Sequence, residues 1–257
     1  MSTFTGERPG RGKNFDYDVA RHLAAYRYAA ELAPGKRVLD AGCGEGWGTQ
    51  ALAGVALSVV GVDYSAAAIE TCRHNWHKRN LTFVHVDLTQ AASLAGGFDL
   101  VTNFQVLEHI REEMPFLEGL KALIAPGGQL LLTTPNRLRT FSENPYHVRE
   151  YIAPELRALL QRVFTEVTIL GMHGNATVRA FDRSRERAVK RILRLDPLGI
   201  RHLLPKWVVT FAFARLAVLV RRRARAGAGD ELIRPEDFFV SADNLDDALD
   251  LVALCSP

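Results

Sequence analysis

Glycine alternates with other residues through Gly42-Cys43-Gly44-Glu45-Gly46-Trp47-Gly48, directly after Val38-Leu39-Asp40-Ala41. Bare backbone lets a ligand approach closely where a strand gives way to a helix. A dinucleotide turn would need glycine at the third position of G-x-G-x-x-G so that pyrophosphate could sit on the helix N-terminus, and Trp47 stands there instead. Asp40 argues the same way. A carboxylate closing the strand repels pyrophosphate and suits a ligand with a cationic end, such as an amino-acid ammonium or a sulfonium. Asp63 follows 21 residues beyond Gly42, the usual place for a side chain that holds ribose hydroxyls. Asp87 closes a third β-like run, placed to accept from an adenine amino group while Leu88 packs on the ring. One such acid is ordinarily a turn or helix-cap residue. Three of them, ending successive strands around one crevice, describe a nucleoside site with a cationic tail.

Acids placed in this way require parallel strands joined by helices, and the chain alternates accordingly from residue 37 to about 170. β-like runs at 37–41, 58–62, 82–86, 98–103, 129–134 and 164–170 are separated by amphipathic helical patterns at 47–55, 66–77, 115–124 and 154–162. A leading helix at 18–32 precedes the first strand, Ala125-Pro126-Gly127-Gly128 reads as a helix-to-strand turn, and the apolar run 249–255 reads as a seventh strand. The expected fold is α/β: a Rossmann-like seven-stranded sheet with helices on both faces and a helical insertion between strands 6 and 7. Hydrophobic residues at 47% and charged residues at 24% over 257 positions exclude disordered, collagen-like and disulfide-scaffold classes. Three cysteines with no C-x-x-C pair indicate reduced thiols. The polar stretch 1–14 lacks the apolar segment of a signal peptide, so a cytoplasmic protein is expected.

Charge is unevenly spread. Residues 176–229 hold 14 Lys/Arg against 3 Asp/Glu, whereas 230–257 hold 1 against 8. The basic segment has either an anionic partner or the acidic tail as its counterpart. The expected organisation is an N-terminal segment 1–17, a core 18–171, a basic helical insertion 172–247 acting as an acceptor lid, and a final core strand in 248–257. Within the insertion, helical patterns cover 183–195 and 206–225. Residues 207–220 are mostly apolar and precede Arg221-Arg222-Arg223. That length is too short to span a bilayer, and it suits a helix packed on the core or a second subunit, or one lying on an anionic membrane. A homodimer is compatible with this reading. Nucleic acid is disfavoured as a partner because aromatic residues are sparse in the basic segment and spaced for a buried face.

VLDAGCGEGWG, GVDYS, VHVDL, FDLVTNFQVLEHI and LIAPGGQLLLTTPN together resemble the ordered motifs of class I S-adenosylmethionine-dependent methyltransferases, over residues 18–170. The resemblance implies S-adenosylmethionine as cofactor. It places Asp40, Gly42, Cys43 and Gly44 along the methionine and ribose, Asp63 on the ribose, Tyr64 and Leu88 on the adenine faces, and Asp87 on the adenine amino group. Asn103 and Phe104 would border the methionine moiety.

Gln105-Val106-Leu107-Glu108-His109-Ile110 and the later Asn144-Pro145-Tyr146-His147 are most similar to ubiquinone-pathway O-methyltransferases and to 2′-O-methyltransferases acting on small-RNA 3′ ends. In those groups E-x-x-E-H with a downstream His holds a divalent metal. Here Gln105 replaces the first Glu. A helix starting near Gln105 would set Gln105, Glu108 and His109 on one face, with His147 completing a site for Mg²⁺ or Mn²⁺. Lacking one charge, that site would hold its metal weakly. His147 is then the leading base candidate, with His109 and Glu108 beside it and Arg149 and Glu150 as alternatives. A hydroxyl must lose its proton to accept a methyl group, so a His/Glu cluster points to O-methylation of a small-molecule or saccharide acceptor. The alternatives are an RNA 2′-O-methyltransferase and a non-catalytic cofactor-fold scaffold. Intact acids at 40, 63 and 87 weigh against the scaffold.

Overall fold

The computed structural model describes residues 16–88, 94–141, 144, 146–193 and 232–257. Helix α1 (Asp16–Leu32) leads into strand β1 (Arg37–Ala41), α2 (Trp47–Leu52), β2 (Ser58–Asp63), α3 (Ala66–Asn75) and β3 (Leu81–His85). There follow β4 (Phe98–Phe104), α4 (Glu113–Ala122), β5 (Ile124–Pro135), α5 (Ala153–Leu160), β6 (Glu166–Gly174), α6 (Ala176–Leu193), β7 (Phe238–Ser241) and β8 (Asp250–Ser256). One sheet results, in the order β3-β2-β1-β4-β5-β8-β6-β7. Strands β1 to β5 pair in parallel, and β8 enters antiparallel between β5 and β6.

Strand periodicity explains the layers. Leu39, Val101, Leu130, Leu132, Leu251 and Ala253 pack on one face with Phe116, Leu117 and Leu120 of α4 and Leu156 and Leu160 of α5. Their neighbours Val38, Leu100, Leu131 and Val252 face the other side, against Tyr17, Ala24 and Tyr26 of α1, Leu52 of α2 and Phe181 of α6. The α/β class is as expected.

The sheet has eight strands rather than seven. The additional strand β7 pairs antiparallel with β6, from Gly171↔Ser241 to Gly174↔Phe238, and forms the sheet's edge. Four residues directly after an acidic turn are too few to show a period-2 pattern. The Ala125-Pro126-Gly127-Gly128 turn is absorbed into β5, because Ile124 already pairs with Phe98 and the register shifts between Phe98 and Leu100. Of the insertion's two helical patterns, the first falls largely in α6. The second, 206–225, lies outside the described residues. Among the described residues no helix is long and apolar enough to cross a membrane.

Chain order reverses beside β1, with β2 on one side and β4 on the other. The carboxyl ends of these strands bound the crevice where open α/β sheets bind ligands.

Candidate functional site

The turn after β1 is clamped to the end of β2. Gly42 N–H and Cys43 N–H both donate to the Val62 carbonyl, at 2.8 and 2.9 Å, and Gly44 N–H donates to Asp63 Oδ2 at 2.9 Å. Asp63 Oδ1 accepts from Ser65 N–H at 2.8 Å, so this nearly buried carboxylate fixes the turn and α3 together. Two glycines serve different ends. A Cβ on Gly42 would meet Val106 Cγ2 at 2.4 Å, whereas Gly44 has φ +54° with nothing within 4 Å of its Cβ position. Gly44 thus leaves room for a ligand.

Asp40 lies beneath the turn rather than lining the crevice. It is 1% exposed and accepts from Thr49 Oγ1 at 2.6 Å, Thr102 Oγ1 at 2.8 Å and the Tyr26 hydroxyl at 3.0 Å. This corrects its expected contact with a cationic ligand end, because three hydroxyls from three elements turn the carboxylate inward. Burial holds its carboxyl above the usual range despite those bonds.

Asn103 and Phe104 end β4 and are both buried. Asn103 Nδ2 donates to the Ala41 carbonyl at 2.8 Å, while its Oδ1 is buried with no hydrogen-bond partner among the described residues. Such an acceptor beside the glycine turn is suited to an ammonium or hydroxyl donor. Phe104 meets Tyr26 edge-on at 4.8 Å. Tyr64, 74% exposed, and the exposed Asp87 lie at the ends of β2 and β3, with Leu88 buried alongside.

The second set of residues gathers past β4. Helical spacing from Gln105 is not realised: Gln105 has φ +56°, its N–H donates to the Thr133 carbonyl at 2.9 Å, and only a single 3₁₀ turn, Leu107–His109, follows. Strand pairing with β5 continues through Gln105 and overrides the local helical pattern. Its side-chain amide donates to Asp250 Oδ1 at 3.2 Å and to Thr133 Oγ1 at 3.3 Å. Glu108, His109 and His147 do converge, with one ligand atom of each within 4.8 Å of the others. The loop carrying His147 is held there by Val148 N–H donating to the Glu108 carbonyl at 2.7 Å.

Hydrogen bonds assign the imidazole protons. His109 Nδ1 meets the Tyr146 carbonyl at 3.1 Å and therefore carries the proton, which leaves Nε2 as the acceptor nitrogen. His147 Nδ1 donates to Glu150 Oε1 at 2.6 Å, and its Nε2 accepts from the Asn144 amide at 2.8 Å. Glu150, also bonded by Thr140 Oγ1, is the orienting carboxylate that sequence left as a minor alternative. Burial would raise its carboxyl, but bonds from His147 and Thr140 hold it below the usual range. Glu108 is 1% exposed and accepts one side-chain bond, from Thr134 Oγ1 at 3.1 Å; burial pushes its carboxyl up to about 7. The His109 ring is held below its ordinary value, again by burial.

Sequence gave no signal for two further contacts. Arg21 of α1 grips Asp250 of β8 with Nε to Oδ2 at 2.6 Å and a second guanidinium contact. Tyr17, one turn earlier on α1, stacks on Phe181 of α6 at 4.8 Å. Such pairs depend on the packing of elements far apart in the chain.

Residues 15–169 match the model of a family described as a methyltransferase domain. A probable S-adenosylmethionine-dependent methyltransferase of Mycolicibacterium smegmatis is 37% identical over 180 residues, covering 66% of this chain and 68% of that protein. One of Mycobacterium tuberculosis is 33% identical over 188 residues, covering 70% and 68%. A ubiquinone biosynthesis O-methyltransferase of Vibrio parahaemolyticus is 27% identical over 179 residues, covering 62% and 76%. Among solved structures, the 4+2 cyclase SpnF shares the fold, with TM-score 0.59 and 18% identity over 98% of this chain and 86% of that one.

Proposed function

Because the chain belongs to the class I S-adenosylmethionine-dependent methyltransferases, we propose that it methylates a hydroxyl oxygen of a small-molecule or saccharide acceptor. One observation carries this reading: the convergence of Glu108, His109 and His147 past the end of β4, the strand beside the glycine turn. A hydroxyl needs a base or a metal to give up its proton, and this set supplies either one.

Bound at the glycine turn, the cofactor supplies a methyl group on a sulfonium, open to in-line attack. The open face of Gly44 admits it, and Asp63, which binds the turn and the start of α3 through Gly44 N–H and Ser65 N–H, stands at the end of β2 to meet the ribose hydroxyls. The orphaned Asn103 Oδ1 is available to an ammonium. Tyr64, Leu88 and Asp87 are assigned to the adenine, while Gly42 and Cys43 shape the backbone around it. Asp40 and Phe104 fix the turn and Tyr26 from beneath.

His147 is the base. Its Nδ1–H is held by Glu150, so Nε2 presents a lone pair, and the Asn144 amide stands where an acceptor hydroxyl would donate. The set also fits a divalent cation: Glu108 offers oxygen, His109 and His147 offer Nε2, and a buried carboxylate lacking countercharge gains most from one. Two imidazoles with one carboxylate favour Mn²⁺ over Mg²⁺, which prefers all-oxygen surroundings. There the ion would ease hydroxyl deprotonation. Gln105, turned to Asp250, is left out of this set in the present arrangement. Residues 172–247 form the acceptor lid in this reading, supported by the packing of α6 on α1.

The test is transfer of labelled methyl from S-adenosylmethionine to fractionated metabolites, with the labelled atom identified. His147→Ala should lower turnover by about 10² to 10⁴ with cofactor affinity intact, the usual effect of losing a general base. A product methylated on nitrogen or carbon, or full activity of His147→Ala after exhaustive chelation, refutes the proposal.

A further inference from the structure

The His147–Glu150 pair is tied by Thr140 to the segment that also carries Arg139 and Phe141. Two guanidinium groups share the Phe141 ring. Arg139 lies 5.8 Å from its centroid and Arg185 of α6 lies 5.9 Å from it, with Arg185 also 5.6 Å from the Tyr17 ring. Like charges gathered on one ring repel unless anions separate them. Among the described residues one buried carboxylate, Asp182, reaches Arg139 and not Arg185: its Oδ2 takes Arg139 Nη2 at 2.8 Å, and its Oδ1 accepts from the Tyr17 hydroxyl at 3.4 Å. Asp247 reaches Arg139 only at 3.6 Å and is itself exposed.

Two donors stay unmet among the described residues. Arg139 Nε is buried with no hydrogen-bond partner, and Arg185 has ring contacts but no carboxylate. Three other cations of α6 have partners, Lys190 with Glu186 at 2.6 Å, Arg179 with the Gly174 carbonyl at 2.9 Å and Arg187 with the Arg183 carbonyl at 3.3 Å, while the side chains of Arg183 and Arg191 are exposed to solvent and Arg185 is half-buried. Arg185 instead turns over the rings of Tyr17 and Phe141. A buried unpaired N–H and an unneutralised guanidinium each cost free energy, and an oxyanion bound at the Phe141 ring that both cations approach would satisfy the two together. Guanidinium forks suit carboxylate and phosphate oxygens.

We infer that the acceptor carries an anionic group, a carboxylate or a phosphate, seated between Arg185 and Arg139 while its hydroxyl faces His147. The inference rests on the hydroxyl reading above. It makes Arg185 a specificity residue that fixes one end of the acceptor, and it assigns part of the basic excess of residues 176–229 to substrate recognition.

The experiment needs no turnover. Full-length protein loaded with S-adenosylhomocysteine is titrated calorimetrically at low salt with inorganic phosphate and, separately, with benzoate. Saturable binding of at least one anion is expected, weakened about tenfold or more in Arg185→Gln, the loss typical of a charge-assisted hydrogen bond. Arg187→Gln, an exposed change on the same helix, should bind as wild type, and equal melting temperatures show that the variants are folded. Preference for phosphate identifies a phosphorylated acceptor; preference for benzoate identifies a carboxylated one. No saturable binding of either anion, or Arg185→Gln binding both as tightly as wild type, overturns the inference. A methyl group later found on nitrogen or carbon would overturn the hydroxyl reading separately.

Discussion

Glu108→Gln offers a test of the buried carboxyl that depends on neither acceptor nor turnover. Glu108 is 1% exposed, and burial raises its carboxyl from 4.5 to about 7. Each pH unit of such a rise corresponds to about 1.4 kcal/mol, so the whole rise is worth roughly 3 kcal/mol. The native state holds its proton to higher pH than the unfolded chain does. Glu108 therefore contributes stability below pH 4.5 that is lost as pH rises through about 7. His22, held near 4 chiefly by burial, and His109, also held low, contribute with the opposite slope, so wild type alone would blur the effect. The difference between wild type and Glu108→Gln removes them. In urea unfolding with chelator present, the variant should gain on wild type by about 2.5 kcal/mol between pH 5 and pH 8, the rest of the difference lying below pH 5. Mn²⁺ at pH 8 should then stabilise wild type and leave the variant unmoved. A difference that stays flat across this range refutes the reasoning.

Alanine at the two turn glycines should separate folding from binding. Gly42→Ala, whose Cβ meets Val106 at 2.4 Å, should lose about 1–3 kcal/mol of stability in urea titration. Gly44→Ala, at φ +54° with open space beyond, should lose only about 1 kcal/mol yet bind S-adenosylmethionine about tenfold more weakly by calorimetry. Asp63→Ala removes an acceptor for Gly44 N–H and Ser65 N–H as well as for the ribose, so cofactor affinity should fall about tenfold or more. Unchanged affinity in a folded Asp63→Ala protein would contradict its assignment.

Local pattern carried most of the fold. The runs that became β1, β2 and β4 are short, apolar and bounded by turn residues, and the acids beyond them mark the crevice. What stayed hidden was decided by residues far apart. Asp40 looked like a ligand-facing acid because nothing nearby in sequence announces Tyr26, Thr49 and Thr102 as its partners. Gln105 has perfect helical spacing to Glu108 and His109, yet pairing with β5 carries the strand one residue further and spends that residue in a left-handed turn. Arg21 and Asp250 are 229 positions apart, and no periodicity joins them. Glu150 was within reach, since its i,i+3 spacing from His147 hinted at a contact that the loop makes good.

Strand β8 sits between β5 and β6, hydrogen-bonded along both edges, although about 75 residues separate its start from the end of β6. Until it docks, the sheet is two separate halves: the parallel half around the glycine turn, and the antiparallel β6–β7 pair with α6. Closing so long a connection is entropically slow, so the parallel half is the part that can form early in folding. Docking also delivers Asp250 to Arg21 and Gln105, and brings α6 with Arg185 and Asp182 over α1. On the acceptor-lid and anionic-group readings proposed above, a chain caught before that step would already hold the cofactor turn but not the α6 side of the acceptor site, so the half that binds the methyl donor would mature before the half that selects where the methyl goes.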